Sequence, residues 1–254
     1  MKNFFLFCFL CLWVGADEFK IKVGVSLSPY AFFVKKIGGD SVEIIKIVPS
    51  QRNPKFYEIN FDQVKQIKNL KLLVMAGIPY EKKWLPRFER SHPSLRILKV
   101  DFGDCGSPVC YDWLSFEGAK RIAQEIAYQL RVIDLKNAQY YKKNLELFLQ
   151  ELDEIYLQIQ KELMASNHKK PVVDYQKVWQ KLSVELGLEY MLLEDIKQRK
   201  GIFCLITPFD PKKLIVSKYQ ISPKHLVEID PFREDWDGMI RDFIQFIAGE
   251  KNGK

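Results

Sequence analysis

One apolar stripe dominates residues 115–166. Ala119, Ile122, Ala123, Ile126 and Leu130 stack on one helical face. Ala138, Tyr141, Leu145, Phe148, Leu152, Ile155, Ile159 and Leu163 continue it, spaced alternately by three and four. Between the two sets, IDLKNAQ offers Asp134 as an N-cap, so the long helix is expected to break or kink there.

Strand-like and helix-like segments alternate on either side of this stripe. FKIKVGVSL, VEIIKIV, LKLLVMAG and LRILKVD read as strands; YAFFVKKIGG, INFDQVKQIKN and EKKWLPRFER read as the helices between them. LKLLVMAG is nearly all apolar, as a strand buried on both faces should be. After the stripe comes a shorter set: KPVVDY, VWQKLSVELGL, GIFCLIT, HLVEID and the closing helix EDWDGMIRDFIQFIAGE. The expected fold class is α/β: two lobes, each a mostly parallel sheet with flanking helices, joined by one long backbone helix, with a cleft between them. The expected division is a signal peptide over 1–16, a first lobe over 17–114, the linking helix over 115–166 and a smaller second lobe over 167–254. Ligands of open α/β sheets bind at the carboxyl ends of strands, so the loops holding residues 54–58, 110–113, 175–179 and Asp230-Pro231 should line the cleft.

At 254 residues, 47% of them hydrophobic, the chain can bury a sizeable core. MKNFFLFCFLCLWVGA has the parts of a secretory signal peptide: one lysine, an apolar run too short to span a bilayer, and a small residue, Ala16, before Asp17. A lipid anchor would need a small residue before its cysteine, but Leu10 precedes Cys11. Export to a periplasm or beyond is expected, with no membrane span in the mature chain. Cys105 and Cys110 either close a small loop in that compartment or stay reduced, and Cys204 is expected to be a buried thiol. The formal charge of +7 is spread over helix faces, which argues for a solvated surface and against nucleic acid.

The order of segments resembles the periplasmic solute-binding proteins of zinc and manganese ABC transporters. SPYAFFVKKIGGDSVEIIKIVPS, NPKFYEINFDQVKQIKNLKLLVMAG, the backbone-helix segment from DWLSFEG onward, VWQKLSVELGLEY and EIDPF carry the likeness. The resemblance implies zinc or manganese as transported ligand, an ABC permease as partner and a monomer. It also implies four metal-ligand positions, which fall on Lys55, Tyr111, Gln176 and Asp230. Of these only Asp230 keeps the expected chemistry. A lysine ammonium has no lone pair to donate, and Tyr111 and Gln176 offer weak neutral oxygens. Glu58, Trp113 and Trp179 are expected to line the cleft. Asp174, Asp112 and Cys110 lie nearby, with Asp174 and Asp112 expected to point away.

The chain has only three histidines, His92, His168 and His225. His92 should be exposed, and His225 should lie roughly 16 Å along a strand from Asp230. Two uses of Lys55 remain open: it pairs with Asp230 in the metal's place, or it reaches solvent while Asp230 caps its own turn. The matching alternatives for function are a binding component with a degenerate metal site and an interaction paralogue whose cleft is closed by a Lys55–Asp230 pair. No nucleophile elbow, H-E-x-x-H or phosphate loop points to an enzyme.

Overall fold

The computed structural model describes residues 20–100, 110–166, 169–197 and 201–249. The signal-peptide segment, His168 and Cys105 lie outside them. Two four-stranded sheets form the two lobes, and every strand pairing in both is parallel. The first contains β1 (Ile21–Val25), β2 (Val42–Lys46), β3 (Leu72–Met75) and β4 (Arg96–Lys99), in the order β2-β1-β3-β4. The second contains β5 (Val172–Asp174), β6 (Tyr190–Leu192), β7 (Cys204–Ile206) and β8 (Leu226–Glu228), in the order β6-β5-β7-β8. The strand order is therefore the same in both lobes. In each, the chain leaves its first strand toward one side and returns on the other, and such a reversal opens a crevice at the carboxyl ends.

The helices are α1 (Pro29–Gly38), α2 (Phe61–Ile67), α3 (Leu85–Ser91), α4 (Phe116–Ile133), α5 (Ala138–Ala165), α6 (Gln180–Glu185), α7 (Lys212–Tyr219) and α8 (Trp236–Ala248). EKKWLPRFER is not one helix. A 3-10 turn over Pro79–Lys83 stops at Trp84, and α3 begins anew with Pro86 in its first turn, where a missing N–H costs nothing. The long stripe breaks at Asp134, whose carboxylate accepts from Asn137 Nδ2 at 2.8 Å and from Tyr141 Oη at 2.6 Å.

Side-chain alternation along the strands sorts the core into layers. Leu72 and Val74 of β3 face inward to a cluster shared with α1, α4 and α5, while Leu73 and Met75 face a separate cluster with Ile67, Trp84 and Phe88. In the second lobe Val172 and Leu205 join the inner cluster, and Val173, Cys204 and Ile206 join an outer one with Ile215. The inner cluster is continuous from the first sheet through Tyr141, Phe148, Leu152, Ile159 and Leu163 of α5 to Phe243 and Ile247 of α8. The backbone helix is thus the shared floor of both lobes.

Polar contacts between the lobes reinforce this floor. Glu185 of α6 accepts from the backbone N–H groups of Phe116 and Glu117 at 2.7 and 2.8 Å, capping α4 beside Ser115. Lys181 pairs with Asp112, and Lys46 pairs with Glu234 at 2.6 Å. Gly118 is required where α4 starts, since an added Cβ would lie 2.0 Å from the Asp112 carbonyl oxygen.

Candidate functional site

The loop after β2 carries Lys55 on a 3-10 turn over Pro54–Phe56. Asn53 opens the turn by accepting from the Lys55 N–H at 3.0 Å. The loop is also tied to α2. Asn60 and Gln63 form a capping box, Tyr57 Oη donates to Gln63 Oε1 at 2.9 Å, and Gln63 Nε2 donates to the Ile47 carbonyl at 2.6 Å. From this anchored loop the Lys55 ammonium crosses to the second lobe and donates to Gln176 Oε1 at 3.4 Å. Among the described residues Lys55 forms no ion pair and is exposed, and of the two uses left open the Lys55–Asp230 pair is not made. Its charge instead acts on Asp210, lowering a carboxyl that burial otherwise raises.

Carboxylates stand at or just past the carboxyl ends of three second-lobe strands. Asp174, the last residue of β5, is 1% exposed; it accepts from the N–H groups of Gln176 at 3.1 Å and Trp179 at 2.8 Å and from Tyr190 Oη at 3.2 Å. Asp174 therefore shapes the turn that presents Gln176. After β7, Asp210 is buried and accepts from the Thr207 N–H at 2.7 Å. After β8, Asp230 accepts from the Phe232 N–H at 2.9 Å through Oδ1. Burial raises the Asp230 carboxyl, with Arg233 opposing and Glu228 adding to the rise.

Burial pushes Asp174 up to about 6 from its ordinary 3.8, against the hydrogen bonds it accepts. Between those two values Asp174 binds more proton in the folded chain than in the unfolded one, so its own contribution to stability is lost as pH rises from about 4 to about 6. Asp174→Asn is expected to flatten that slope. Urea midpoints measured across the window check this; an unchanged slope in the variant would assign the titration elsewhere.

Tyr111 is 6% exposed, and burial, followed by the charges of Tyr80, Asp174 and Asp210, holds its phenol above the ordinary range. It stays neutral at physiological pH and offers only a weak hydroxyl oxygen. Its ring lies 6.0 Å from Phe232, over the turn that holds Asp230.

Trp113 and Trp179 do not line the cleft: both are wholly buried. Trp113 Nε1 donates to the Pro231 carbonyl at 2.8 Å, Trp236 Nε1 donates to the Trp113 carbonyl, and Trp179 stacks on Phe243 at 4.8 Å. They support the crevice from behind. Glu58 is exposed beside Lys55. Asp112 is spent on Lys181.

Two histidines can be placed, and neither serves the crevice. His92 is half-buried rather than exposed, with Nε2 2.8 Å from the Leu70 carbonyl. His225 packs 4.8 Å from the Phe203 ring. Cys204 is a free buried thiol that burial raises to about 12. Cys110 is disulfide-bonded, and because Cys204 is free its partner lies outside the described residues.

Asp210 is the site residue that sequence reasoning passed over. Its signal was a carboxylate three residues after Thr207, just past the buried strand GIFCLIT. Among the described residues no group of three or more His, Cys, Asp or Glu is placed to hold a metal. The donor set of ammonium, neutral phenol, carboxamide and one carboxylate does not fit a bare transition metal.

Comparison with known proteins identifies the family and the fold. The family model described as zinc-uptake complex component A, periplasmic (ZnuA) matches residues 23–202. The manganese ABC transporter substrate-binding lipoprotein PsaA of Streptococcus pneumoniae is 28% identical over 152 residues, covering 54% of this chain and 49% of that protein. The iron ABC transporter substrate-binding lipoprotein MtsA of Streptococcus pyogenes serotype M1 is 24% identical over 229 residues, covering 83% and 72%. The chain spans about half the length of several curated relatives that it matches. A crystal structure of ZnuA superposes with a TM-score of 0.77 at 22% identity, covering 91% of this chain and 98% of that one. A manganese-bound periplasmic metal-binding protein from Candidatus Liberibacter asiaticus superposes with a TM-score of 0.75 at 15% identity, covering 91% and 99%. These structural likenesses establish the two-lobed fold.

Proposed function

The chain belongs to the zinc-uptake complex component A family, and from that premise we propose that it is the exported cargo-binding component of a metal-type ABC importer, zinc- or manganese-type. What supports this is the match to the family model over residues 23–202, carried on two like-ordered parallel sheets. The lobes present cargo to a permease, and the chain performs no chemistry on it; its buried carboxylates are spent on turns and helix ends. No helix among the described residues is long and apolar enough to cross a membrane. Asp230 is the protein's own carboxylate for the cargo.

Cellular metal content tests this. Deleting the gene is expected to lower cell-associated zinc or manganese in chelator-treated medium. The wild-type gene should restore it and Asp230→Ala should not. Unchanged metal content on deletion would overturn the reading.

A further inference from the structure

Lys55 poses a chemical question that the importer reading leaves open: a fixed positive charge stands where a cation is to be received. The ammonium carries three N–H donors, and a single long hydrogen bond to Gln176 occupies one of them. Its loop is anchored by Asn53 and by the α2 capping box, so the charge is held at the crevice. On the opposite lobe Asp230 uses only Oδ1 within the chain, and Oδ2 accepts no hydrogen bond among the described residues. The two open charges are offset. Lys55 sits over the β5 loop, whereas Asp230 follows β8, two places across the sheet, so the strand ends beneath the two groups lie on the order of 10 Å apart. Half-buried Phe209 lies 6.1 Å from Phe232, and Tyr111 lies 6.0 Å from the same ring. Tyr111 and Phe232 are themselves buried, so these rings pack behind Asp230.

We propose that this cleft takes a divalent metal already held in a small carboxylate-bearing chelate, the chelate's carboxylate meeting Lys55 and its metal-bearing end facing Asp230. The inference rests on the importer reading and names its cargo class. A bare divalent ion meets repulsion from Lys55 and finds one carboxylate. A chelate brings its own donors, so one protein carboxylate suffices. Its outward carboxylate gives the ammonium a charge-assisted partner. The ligand chemistry matches the residues as they stand, with a positive group for the anionic end and a negative group for the cationic end.

Calorimetric titration of the metal-stripped mature protein tests this with four probes: zinc chloride, free histidine, the zinc–histidine complex and the zinc–citrate complex. At least one complex is expected to bind about tenfold or more tightly than bare zinc or free histidine. Lys55→Met should lose that binding and Lys55→Arg should retain most of it, with melting curves confirming that both variants fold. Bare zinc binding as tightly as the complexes would overturn the proposal and leave metal uptake standing. Free histidine binding as tightly as its complex would also overturn it, since the metal would play no part. So would binding of neither complex, or equal binding to Lys55→Met. The cellular metal assay reads the importer function independently of all these outcomes.

Discussion

Replacing Lys55, Tyr111 and Gln176 together by histidine is expected to give the protein a bare-zinc site with a dissociation constant on the order of 1 µM or tighter, about 8 kcal/mol of binding energy. The change removes one repelling charge and supplies three imidazoles beside the Asp230 carboxylate, a donor set that tetrahedral zinc accepts. Geometry favours convergence. Lys55 already reaches Gln176 at 3.4 Å, and Tyr111 lies against Phe232, whose N–H is bonded to Asp230. Gln176 and Asp230 follow strands two places apart, and two inward side chains with a metal between them bridge that width. Calorimetry with zinc chloride reads the gain, and adding Asp230→Ala should remove most of it. A triple variant that folds and stays silent toward zinc would show that these four positions do not share one point.

Lys181→Met is expected to destabilise the protein by about 3 kcal/mol, the lower end of what breaking a buried ion pair costs. The Asp112 side chain is 5% exposed and its Oδ2 already lacks a partner, while Lys181 is 35% exposed. Removing the lysine strands a buried carboxylate. The ammonium's own exposure keeps the loss from reaching the upper end. The double change Lys181→Met with Asp112→Asn should recover most of the stability, because the penalty lies in the uncompensated charge. Urea denaturation of the four proteins measures this. A single-mutant loss below about 1 kcal/mol would make the pair an ordinary surface contact.

Local physics was legible in the sequence wherever partners are near in the chain. The nearly all-apolar LKLLVMAG contains β3, buried on both faces, and the stripe over 115–166 is α4 and α5 with its break at Asp134. Cys204 is the buried strand thiol its apolar neighbours imply. Long-range polar partnerships were not legible. Glu185 caps a helix 69 residues upstream, and Lys181 meets Asp112 across the same separation. Glu81 is wholly interior, accepting from the N–H groups of Ala76 and Ile78 at 3.0 Å each, though its surroundings in the chain read as a solvated helix. Trp113 and Trp179 were placed on the cleft because aromatic residues suit both a ligand wall and the packing behind it. Only the fold distinguishes these uses.

By itself the sequence determined the class of the fold, the segment order shared with metal-uptake binding proteins, and the loss of donor chemistry at three of four ligand positions. The fold class follows from periodicity and residue type, which act locally; the segment order and the ligand positions are what the family resemblance implies. Tertiary structure alone decided what Lys55 meets. The order β6-β5-β7-β8 sets Gln176, Asp210 and Asp230 side by side along the second lobe, and the anchored 53–57 loop sends the ammonium to Gln176 and into the field of Asp210 rather than to Asp230. Which charge a side chain meets depends on strand order and on loops tied down elsewhere, and residue spacing carries neither.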